Sequence, residues 1–330
     1  MNKPFAILAV IAYFFALPAE AHVGYVIAPE KIAARAGADW SFILSAADQP
    51  INLFLMIFAI FAVFSVAWLF RKNRWLRHEA DRVWGKASAY REFIPWILRL
   101  SLGIALIGAG TSQVFISPLV AEPIAGVIFT QIFLGFLLLA GFLLAPAALA
   151  AILLYFLALK YNFYLLGNLD FLGLALAFFV IGSARPGVDD LVGLPFPSPF
   201  RNLRKYVPLI LRLGIGGAMI FLALYEKILN PHLARLVVTE YSLTSIIAVS
   251  PAMWVLGAGL IELLIGLFLL LGFKTRSLTV VAFLTLTLSF FFFKESVTSH
   301  ITLFGALSAL LITGGGKISI DAYYGPRKET

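Results

Sequence analysis

Long apolar runs separated by short polar links are the main pattern of this 330-residue chain. A helix of about 20 apolar residues is long enough to cross the roughly 30 Å hydrocarbon core of a bilayer. The runs predict nine membrane spans, at residues 50–70, 94–116, 124–144, 147–163, 168–183, 206–227, 251–272, 277–293 and 299–314. The predicted fold is therefore all-α, a polytopic membrane helix bundle.

The composition of the chain also indicates a membrane protein. Of the residues, 61% are hydrophobic and 13% are charged, whereas soluble domains are about 45–50% apolar and about 25% charged. A chain of this length with so few polar residues does not supply the polar surface that a soluble protein needs. The composition therefore excludes a soluble enzyme, a disordered protein and a fibrous protein.

The distribution of charge predicts the topology. The chain has 25 Lys and Arg and 17 Asp and Glu, which gives a net charge of +8. Most basic residues lie in the links at 71–91, 185–205, 274–276 and 317–328, and basic links stay in the cytoplasm. We therefore predict a multi-pass protein of the plasma (inner) membrane, with its mature N-terminus outside and its C-terminus in the cytoplasm. The expected partner of the chain is the lipid bilayer and not nucleic acid.

The start of the chain has the pattern of a secretory signal peptide. Lys3 precedes the apolar run Phe5–Leu17, and Ala19-Glu20-Ala21 forms a small-x-small cleavage site. An uncleaved first transmembrane helix is the alternative. The predicted organisation around the spans is a signal peptide at 1–21, an extracytoplasmic segment at 22–49, the first span with a basic cytoplasmic loop at 50–93, and a cytoplasmic tail at 315–330.

Two segments of the chain carry similar residues in the same order. The matched sets are Leu98-Arg99-Leu100 with Leu211-Arg212-Leu213, Gly135 with Gly266, Gly141 with Gly272, and Gly173 with Gly305. We name residues 94–183 the first copy and residues 206–314 the second copy. Each copy holds four predicted spans and begins on the same side of the membrane, so the pattern predicts two parallel four-helix repeats. Chance matching of glycines and leucines in apolar helices is the alternative.

The chain has no cysteine, which removes several kinds of redox centre. Disulfides, cysteine-bound metals, all-cysteine iron–sulfur clusters and c-type haem all need cysteine. The chain has four histidines, His22, His78, His232 and His300. Only His300 lies at the edge of a predicted span, so a haem held by two histidines within the membrane is not expected either. Any redox cofactor is then expected to be diffusible or to belong to a partner.

The second copy contains several features of a known family. In order they are Leu211-Arg212-Leu213-Gly214, Glu226-Lys227, Glu262 between Gly259 and Gly266, and Leu271-Gly272 followed by Arg276. This run resembles the DoxX/DoxD family of four-helix membrane proteins, and residues 94–183 resemble it in degenerate form. Tyr225-Glu226 departs from the family pattern, which more often has a small residue before the lysine. The resemblance implies a membrane oxidoreductase system, in some members thiosulfate:quinone oxidoreduction, with quinone as cofactor and a redox partner subunit.

Glu262 lies near the middle of the 251–272 span. An ionisable residue at that depth costs about 2.5 kcal/mol or more to insert and is a functional-site hypothesis by default. Arg212 is its expected partner, because counting along two antiparallel helices brings the two residues within about one to two turns in depth. Glu262, Arg212 and Lys227 are therefore the predicted catalytic residues. The alternative is a buried ion pair that only fixes helix packing.

Further polar residues gather at the predicted outer ends of the second-copy helices. Glu226, His300 and Tyr225 are the predicted cofactor-binding residues and would form a polar mouth above Glu262; a solvated rim is the alternative. At the aligned positions of the first copy, Gln113 replaces Glu226 and Gln131 replaces Glu262. Proton exchange needs an ionisable group, so such chemistry is predicted in the second copy alone.

Three functions are compatible with these patterns. The first, a membrane redox subunit acting with quinone, is favoured by the resemblance. The second is a transporter, because parallel repeats with charged residues inside the membrane are also typical of transporters. The third is a non-catalytic subunit for assembly or anchoring.

Overall fold

The computed structural model describes residues 23–35, 37–54, 57, 61, 72–120, 125–193, 198–295 and 297–324. Every regular element within these residues is helical. The predicted signal peptide and most of the predicted 50–70 span lie outside the described residues. The all-α prediction is confirmed for the remainder of the chain.

The helices that form the bundle come in two groups of four, joined by shorter helices. In chain order the helices are α1 (Val23–Val26), α2 (Pro29–Arg35), α3 (Phe42–Ala47), α4 (Arg74–Ser88), α5 (Ile94–Thr111), α6 (Ala125–Ala140), α7 (Leu144–Tyr161), α8 (Leu169–Ile181), α9 (Val188–Val192), α10 (Val207–Leu222), α11 (Pro231–Glu240), α12 (Pro251–Leu271), α13 (Thr275–Phe293), α14 (Val297–Thr313) and α15 (Ile320–Tyr324). The first copy contains α5 to α8, and the second copy contains α10 and α12 to α14.

Six helical segments among the described residues are long and apolar enough to cross a membrane, judged by length and composition. They are His78–Thr111, Leu144–Tyr161, Phe163–Ile181, Arg201–Leu229, Pro251–Leu271 and Thr275–Phe293. The apolar helices α6 and α14 are shorter. Together these eight segments correspond to eight of the nine predicted spans. The chain is thus a polytopic helical bundle, as predicted.

The two copies pack against each other through their first and last helices. Within each copy the first two helices pair closely, α5 with α6 and α10 with α12. Between the copies, α8 packs on α10 and α14 packs on α5. The last helix of each copy therefore packs on the first helix of the other copy. Because of these contacts, the buried apolar side chains of both copies form one continuous core.

Glycines allow the paired helices of each copy to approach closely. A Cβ atom on Gly135 would lie 2.7 Å from the carbonyl oxygen of Gly103, and one on Gly266 would lie 3.0 Å from that of Gly216. Small residues at such positions let helix backbones approach in membrane proteins. The glycines matched in the sequence therefore occupy matched contacts.

A buried arginine ties together the ends of helices in each copy. Arg99 donates to the carbonyls of Leu138 and Leu139, where α6 ends, at 2.7 and 2.8 Å. Arg212 donates to the carbonyl of Leu270, where α12 ends, at 3.1 Å, and to the carbonyl of Ile318. We name this end of the bundle the α15 end and the opposite end the α11 end. The last carbonyls of a helix have no partner within it, and these guanidinium groups satisfy them.

The segment before α4 packs against the α11 end of the second copy. Val23 and Phe42 are buried in a second apolar cluster with Leu233, Val237 and Trp254. The backbone N–H of Asp39 donates to the carbonyl of Leu229 at 2.8 Å. The predicted segment at 22–49 therefore covers one end of the second copy.

Candidate functional site

A change of helix type brings two adjacent ionisable residues into the protein interior. After α10 the chain continues as a π-helix over Ala223–Leu229, whose wider turn has i→i+5 hydrogen bonds and is frequent at functional sites. Glu226 and Lys227 lie in this segment and are 0% and 1% exposed. Gly259 of α12 makes room for the lysine, since a Cβ atom there would lie 2.9 Å from the Cβ of Lys227.

Lys227 contacts two carboxylates at once. Its Nζ lies 2.8 Å from Oε2 of Glu262 and 3.3 Å from Oε2 of Glu226. The Glu262 side chain is 18% exposed, whereas the other two are buried. We name these three residues the acid–lysine cluster. Three of the six predicted site residues are thus brought together at bonding distance.

The predicted pairing of Arg212 with Glu262 is wrong. Arg212 binds the carbonyl of Leu270, eight residues beyond Glu262 on α12 and thus about 12 Å further along the helix axis. Glu262 is paired with Lys227 instead. Counting residues along straight helices placed the two within about one to two turns in depth, whereas the long guanidinium side chain of Arg212 extends toward the α15 end. The position of Arg212 is that of a packing residue.

Two groups that sequence reasoning missed complete the surroundings of Glu226. The Tyr164 hydroxyl, in the 3-10 segment before α8, donates to Oε1 of Glu226. The backbone N–H of Val23 donates to the same oxygen at 3.2 Å. Neither residue stands near Glu226 in the sequence, and neither belongs to a recognisable motif. The first copy and the N-terminal segment thus both contribute to a second-copy site.

Tyr225 packs beside the acid–lysine cluster. Its ring stacks on Phe221 with centroids 5.3 Å apart and lies 4.8 Å from the ring of Tyr164. Tyr225 thus packs on Tyr164, whose hydroxyl donates to Glu226. The position of Tyr225 therefore indicates an aromatic wall of the site.

His300 belongs to a separate polar cluster. Its Nε2 lies 3.0 Å from Oε2 of Glu295, and the hydroxyl of Ser289 donates to the other oxygen of that carboxylate at 3.1 Å. The ring of Tyr25 meets the His300 ring edge-on at 5.1 Å. We name His300, Glu295 and Ser289 the histidine cluster.

A small cavity lies between the two clusters. Its volume is about 50 Å³, and its lining includes Glu262, His300, Tyr25, Asn168 and Asp170. Burial raises the pKa of the Tyr25 phenol well above its usual range, so the phenol stays neutral. Among the described residues, no group of three or more His, Asp or Glu side chains is arranged to hold a metal ion. The polar mouth predicted above Glu262 is thus an internal cavity beside it.

Comparison with known proteins identifies the part of the chain that holds the acid–lysine cluster. Residues 207–295 match the family model described as DoxX. We name these matched residues, 207–295, the DoxX domain. No curated protein and no solved structure matches the chain. The matched residues include the whole acid–lysine cluster, and the first copy lies outside the match, so its relation to DoxX stays a prediction.

The first copy has neutral groups where the DoxX domain has the acid–lysine cluster. The side-chain amide of Gln131 donates to the carbonyl of Val114 at 3.0 Å, and its oxygen accepts from the N–H of Ile116 at 2.7 Å. Val114 is aligned with Lys227, so an amide-to-backbone bond stands where the DoxX domain has an ion pair. Gln113, aligned with Glu226, is exposed. The buried charge is therefore particular to the DoxX domain.

Proposed function

We propose that this chain is the membrane subunit of a redox system and that its DoxX domain holds a transferable proton at Glu262. The observation that carries the proposal is the position of Lys227, whose Nζ contacts both Glu262 and Glu226 within the helix bundle. The redox part of the proposal is based on the DoxX resemblance. The part that concerns the proton is based on the charges of the acid–lysine cluster.

The charges of the cluster make two protonation states accessible. When all three groups are ionised, their charges sum to −1; when one carboxylate takes up a proton, the sum is zero. A buried net charge is costly, whereas the ion pair with Lys227 favours ionised carboxylates. These two effects oppose each other, which allows a proton to be bound and released.

The two carboxylates are not equivalent in this exchange. Glu226 is fully buried and accepts hydrogen bonds from Tyr164 and from the N–H of Val23. Donors of this kind stabilise the ionised form. Glu262 is partly exposed and lines the cavity. The proton is therefore assigned to Glu262, while Glu226 holds Lys227 in place.

The proposed proton lies where a quinone would be sought. Glu262 and His300 have the hydrogen-bonding groups that suit a quinone carbonyl, which is what the resemblance leads one to seek. Both residues line the same cavity. The proton transfer proposed for Glu262 needs no quinone in this cavity, and quinone as the cofactor of the redox system stays a prediction.

A transporter is the second candidate. Transporters of this kind place ionisable residues at the interface of two repeats, on helices whose regular geometry is interrupted. The change to π-helix at Glu226 and Lys227 is such an interruption, and Tyr164 of the first copy binds Glu226. A purified transporter would move protons or a substrate across a bilayer without a redox partner.

Infrared spectroscopy of the purified protein tests the proton at Glu262. A protonated carboxylic acid has a C=O band that carboxylates and amides lack. We expect such a band to appear as the pH is lowered, to vanish in Glu262→Gln and to persist in Glu240→Gln, a matched change at an exposed ion pair with Lys31. No titrating band, or a band that survives Glu262→Gln, contradicts the proposal.

Purification from native membranes tests the redox role. We expect the chain to copurify with a partner that has the absorption spectrum of a redox cofactor and with extractable quinone. Isolation without such a partner, together with proton or solute flux in liposomes, would replace the redox proposal with transport. Isolation with neither property would favour a subunit for assembly.

Reporter fusions test the proposed topology, with the N-terminus outside and the C-terminus in the cytoplasm. A reporter fused after Thr330 should be active in the cytoplasm. One inserted next to the exposed Ile246, in the link between α11 and α12, should be active outside. The opposite pattern would reverse the orientation.

A further inference from the structure

One buried polar atom beside the cavity lacks a partner. Asn168 is 7% exposed, and its amide N–H donates to the hydroxyl of Tyr25 at 2.6 Å. Its Oδ1 has no hydrogen-bond partner among the described residues. A buried oxygen left without a donor costs about 1–3 kcal/mol. Because Asn168 lines the cavity, a water molecule there would satisfy it.

The cavity has the size and the polarity that buried water needs. A volume of about 50 Å³ accommodates about four water molecules, since one needs about 10–15 Å³. A stable buried water also needs two to four polar partners. The lining supplies them in Asp170, Ser289, Ser299 and the Tyr25 hydroxyl, in addition to Asn168. Apolar cavities stay dry, whereas this one has polar side chains in its lining.

The cavity joins the acid–lysine cluster to the histidine cluster, because Glu262 and His300 line the same space. We propose that a chain of ordered waters fills it and that Glu262 exchanges its proton through this chain with the His300–Glu295 pair. The inference rests on the proposed function, since it needs a proton at Glu262. Compared with the proposed function, the inference adds the His300–Glu295 pair as a second proton-exchanging group. It also adds a path for the proton from Glu262 toward the α13–α14 link.

The transfer balances without any other reactant. The Glu262 carboxyl releases a proton to the nearest water, each water passes one proton on, and the last gives one to the His300 ring. No electron moves, and no bond between heavy atoms forms or breaks. The products are an ionised Glu262, 2.8 Å from Lys227 Nζ, and a protonated His300, 3.0 Å from Glu295. Each product therefore has a neighbour of opposite charge.

Several ionisable groups surround His300. The groups that face the ring or the cavity beside it are Tyr25 of α1, Asp170 of α8, Glu262 of α12, Ser289 of α13 and Glu295 of the α13–α14 link. The Tyr25 phenol is neutral, and the remaining ionisable groups are carboxylic acids. No basic side chain lines the cavity beside the ring among the described residues.

Radical footprinting tests whether the cavity holds water. Hydroxyl radicals produced by X-ray pulses form from bound water and oxidise adjacent side chains. Met219 is 8% exposed and lines the cavity, so we expect it to be oxidised despite its burial, with Met253 as the internal reference. Ser299→Leu should fill the cavity and abolish this oxidation, while Ser308→Leu on the same helix should leave it unchanged. An unlabelled Met219 in the unmodified protein would overturn the inference.

Isotope exchange tests the transfer itself. After transfer into heavy water, the Glu262 carboxyl band shifts at the rate at which its proton exchanges. We expect Ser299→Leu and His300→Gln to slow this shift by roughly a hundredfold, the lower range of what a positioned proton-transfer group contributes. If the band is present and both variants exchange at the normal rate, the water chain is wrong while the proposed function stands. If the unmodified protein has no band, the proposed function itself fails.

Discussion

At the α15 end of the bundle, Arg99 of the first copy and Arg212 of the second both donate to carbonyls at the end of the helix that pairs with their own, α6 for Arg99 and α12 for Arg212. At the α11 end the copies differ. Gln131 is bonded to the backbone around Val114, whereas Glu262 at the aligned position is paired with a buried Lys227. The packing is shared, and the ionisable chemistry is not.

The comparison of the two copies shows whether the four-helix fold requires the buried ion pair. The first copy closes its helix pair with a neutral amide, so a four-helix unit of this shape does not require a buried ion pair. A buried ion pair often contributes less stability than the apolar or neutral groups that could replace it. Its presence in the DoxX domain alone therefore favours a functional role over a packing role.

Removal of Lys227 should have the largest effect. Lys227→Met leaves the buried carboxylate of Glu226 and the partly exposed one of Glu262 without their shared ammonium, and breaking a buried pair from one side costs about 3–5 kcal/mol. We expect a lower melting temperature in detergent. Lys160→Met, an exposed lysine of the first copy, should change stability by less than about 0.5 kcal/mol.

A triple variant sharpens this prediction by giving the DoxX domain the first-copy residues. Glu226→Gln, Lys227→Val and Glu262→Gln together copy Gln113, Val114 and Gln131. Most of the stability lost in Lys227→Met should return, because no buried charge remains, and the infrared band of Glu262 should be absent. A triple variant less stable than Lys227→Met would mean that the fold itself depends on the ion pair.

Of the two arginines, Arg99 should be the more sensitive, because it donates four hydrogen bonds to backbone carbonyls whereas Arg212 donates two. In Arg99→Lys and Arg212→Lys, one ammonium replaces a planar group that reaches several carbonyls. Each substitution should lower the free energy of unfolding by about 1.5–3 kcal/mol, the value of a hydrogen bond to a charged group. Denaturant titration of both variants measures the two losses. A much larger loss at Arg212 would indicate a role that Arg99 lacks.

Adding a methyl group at the close helix contacts should cost about 1–3 kcal/mol through overpacking. Gly135→Ala should cost more than Gly266→Ala, because its Cβ would lie 2.7 Å from a backbone oxygen and not 3.0 Å. Gly126→Ala is the control, since a Cβ there meets nothing within 4 Å. Melting temperatures that rank Gly266→Ala as the more harmful change would contradict the structure.

The smallest effect concerns the segment that covers the second copy. Hydrogen bonds from Ser41, first from its hydroxyl, hold the pKa of Asp39 below its usual 3.8. A lowered pKa in the folded protein stabilises it above the ordinary value, and this contribution is lost as the pH falls through the lowered one. The melting temperatures of the protein and of Asp39→Ala should therefore differ at neutral pH and converge in acid. A melting-temperature difference that grows in acid would contradict the prediction that Asp39 stabilises the protein in its ionised form.

The sequence by itself predicted much of this molecule. Hydrophobic runs fix which residues are long enough to span a membrane, so eight of the nine predicted spans correspond to helical segments or apolar helices of the structure. The cost of burying charge also marked Glu262, and the polar outer ends of the second-copy helices marked Glu226 and Lys227, before any contact was known. The replacement of two acids by Gln113 and Gln131 was likewise visible, because it depends only on aligning the copies.

Only the tertiary structure decided which charges meet. Counting residues along the helices placed Arg212 within about one to two turns of Glu262 in depth, but the reach of a side chain and the change to π-helix at Lys227 are set by packing. The donors to Glu226 come from Tyr164 and Val23, which are 62 and 203 residues away along the chain. Such neighbours, and the cavity beside Glu262, arise from how the helices pack against each other, which the pattern of a single chain does not encode locally.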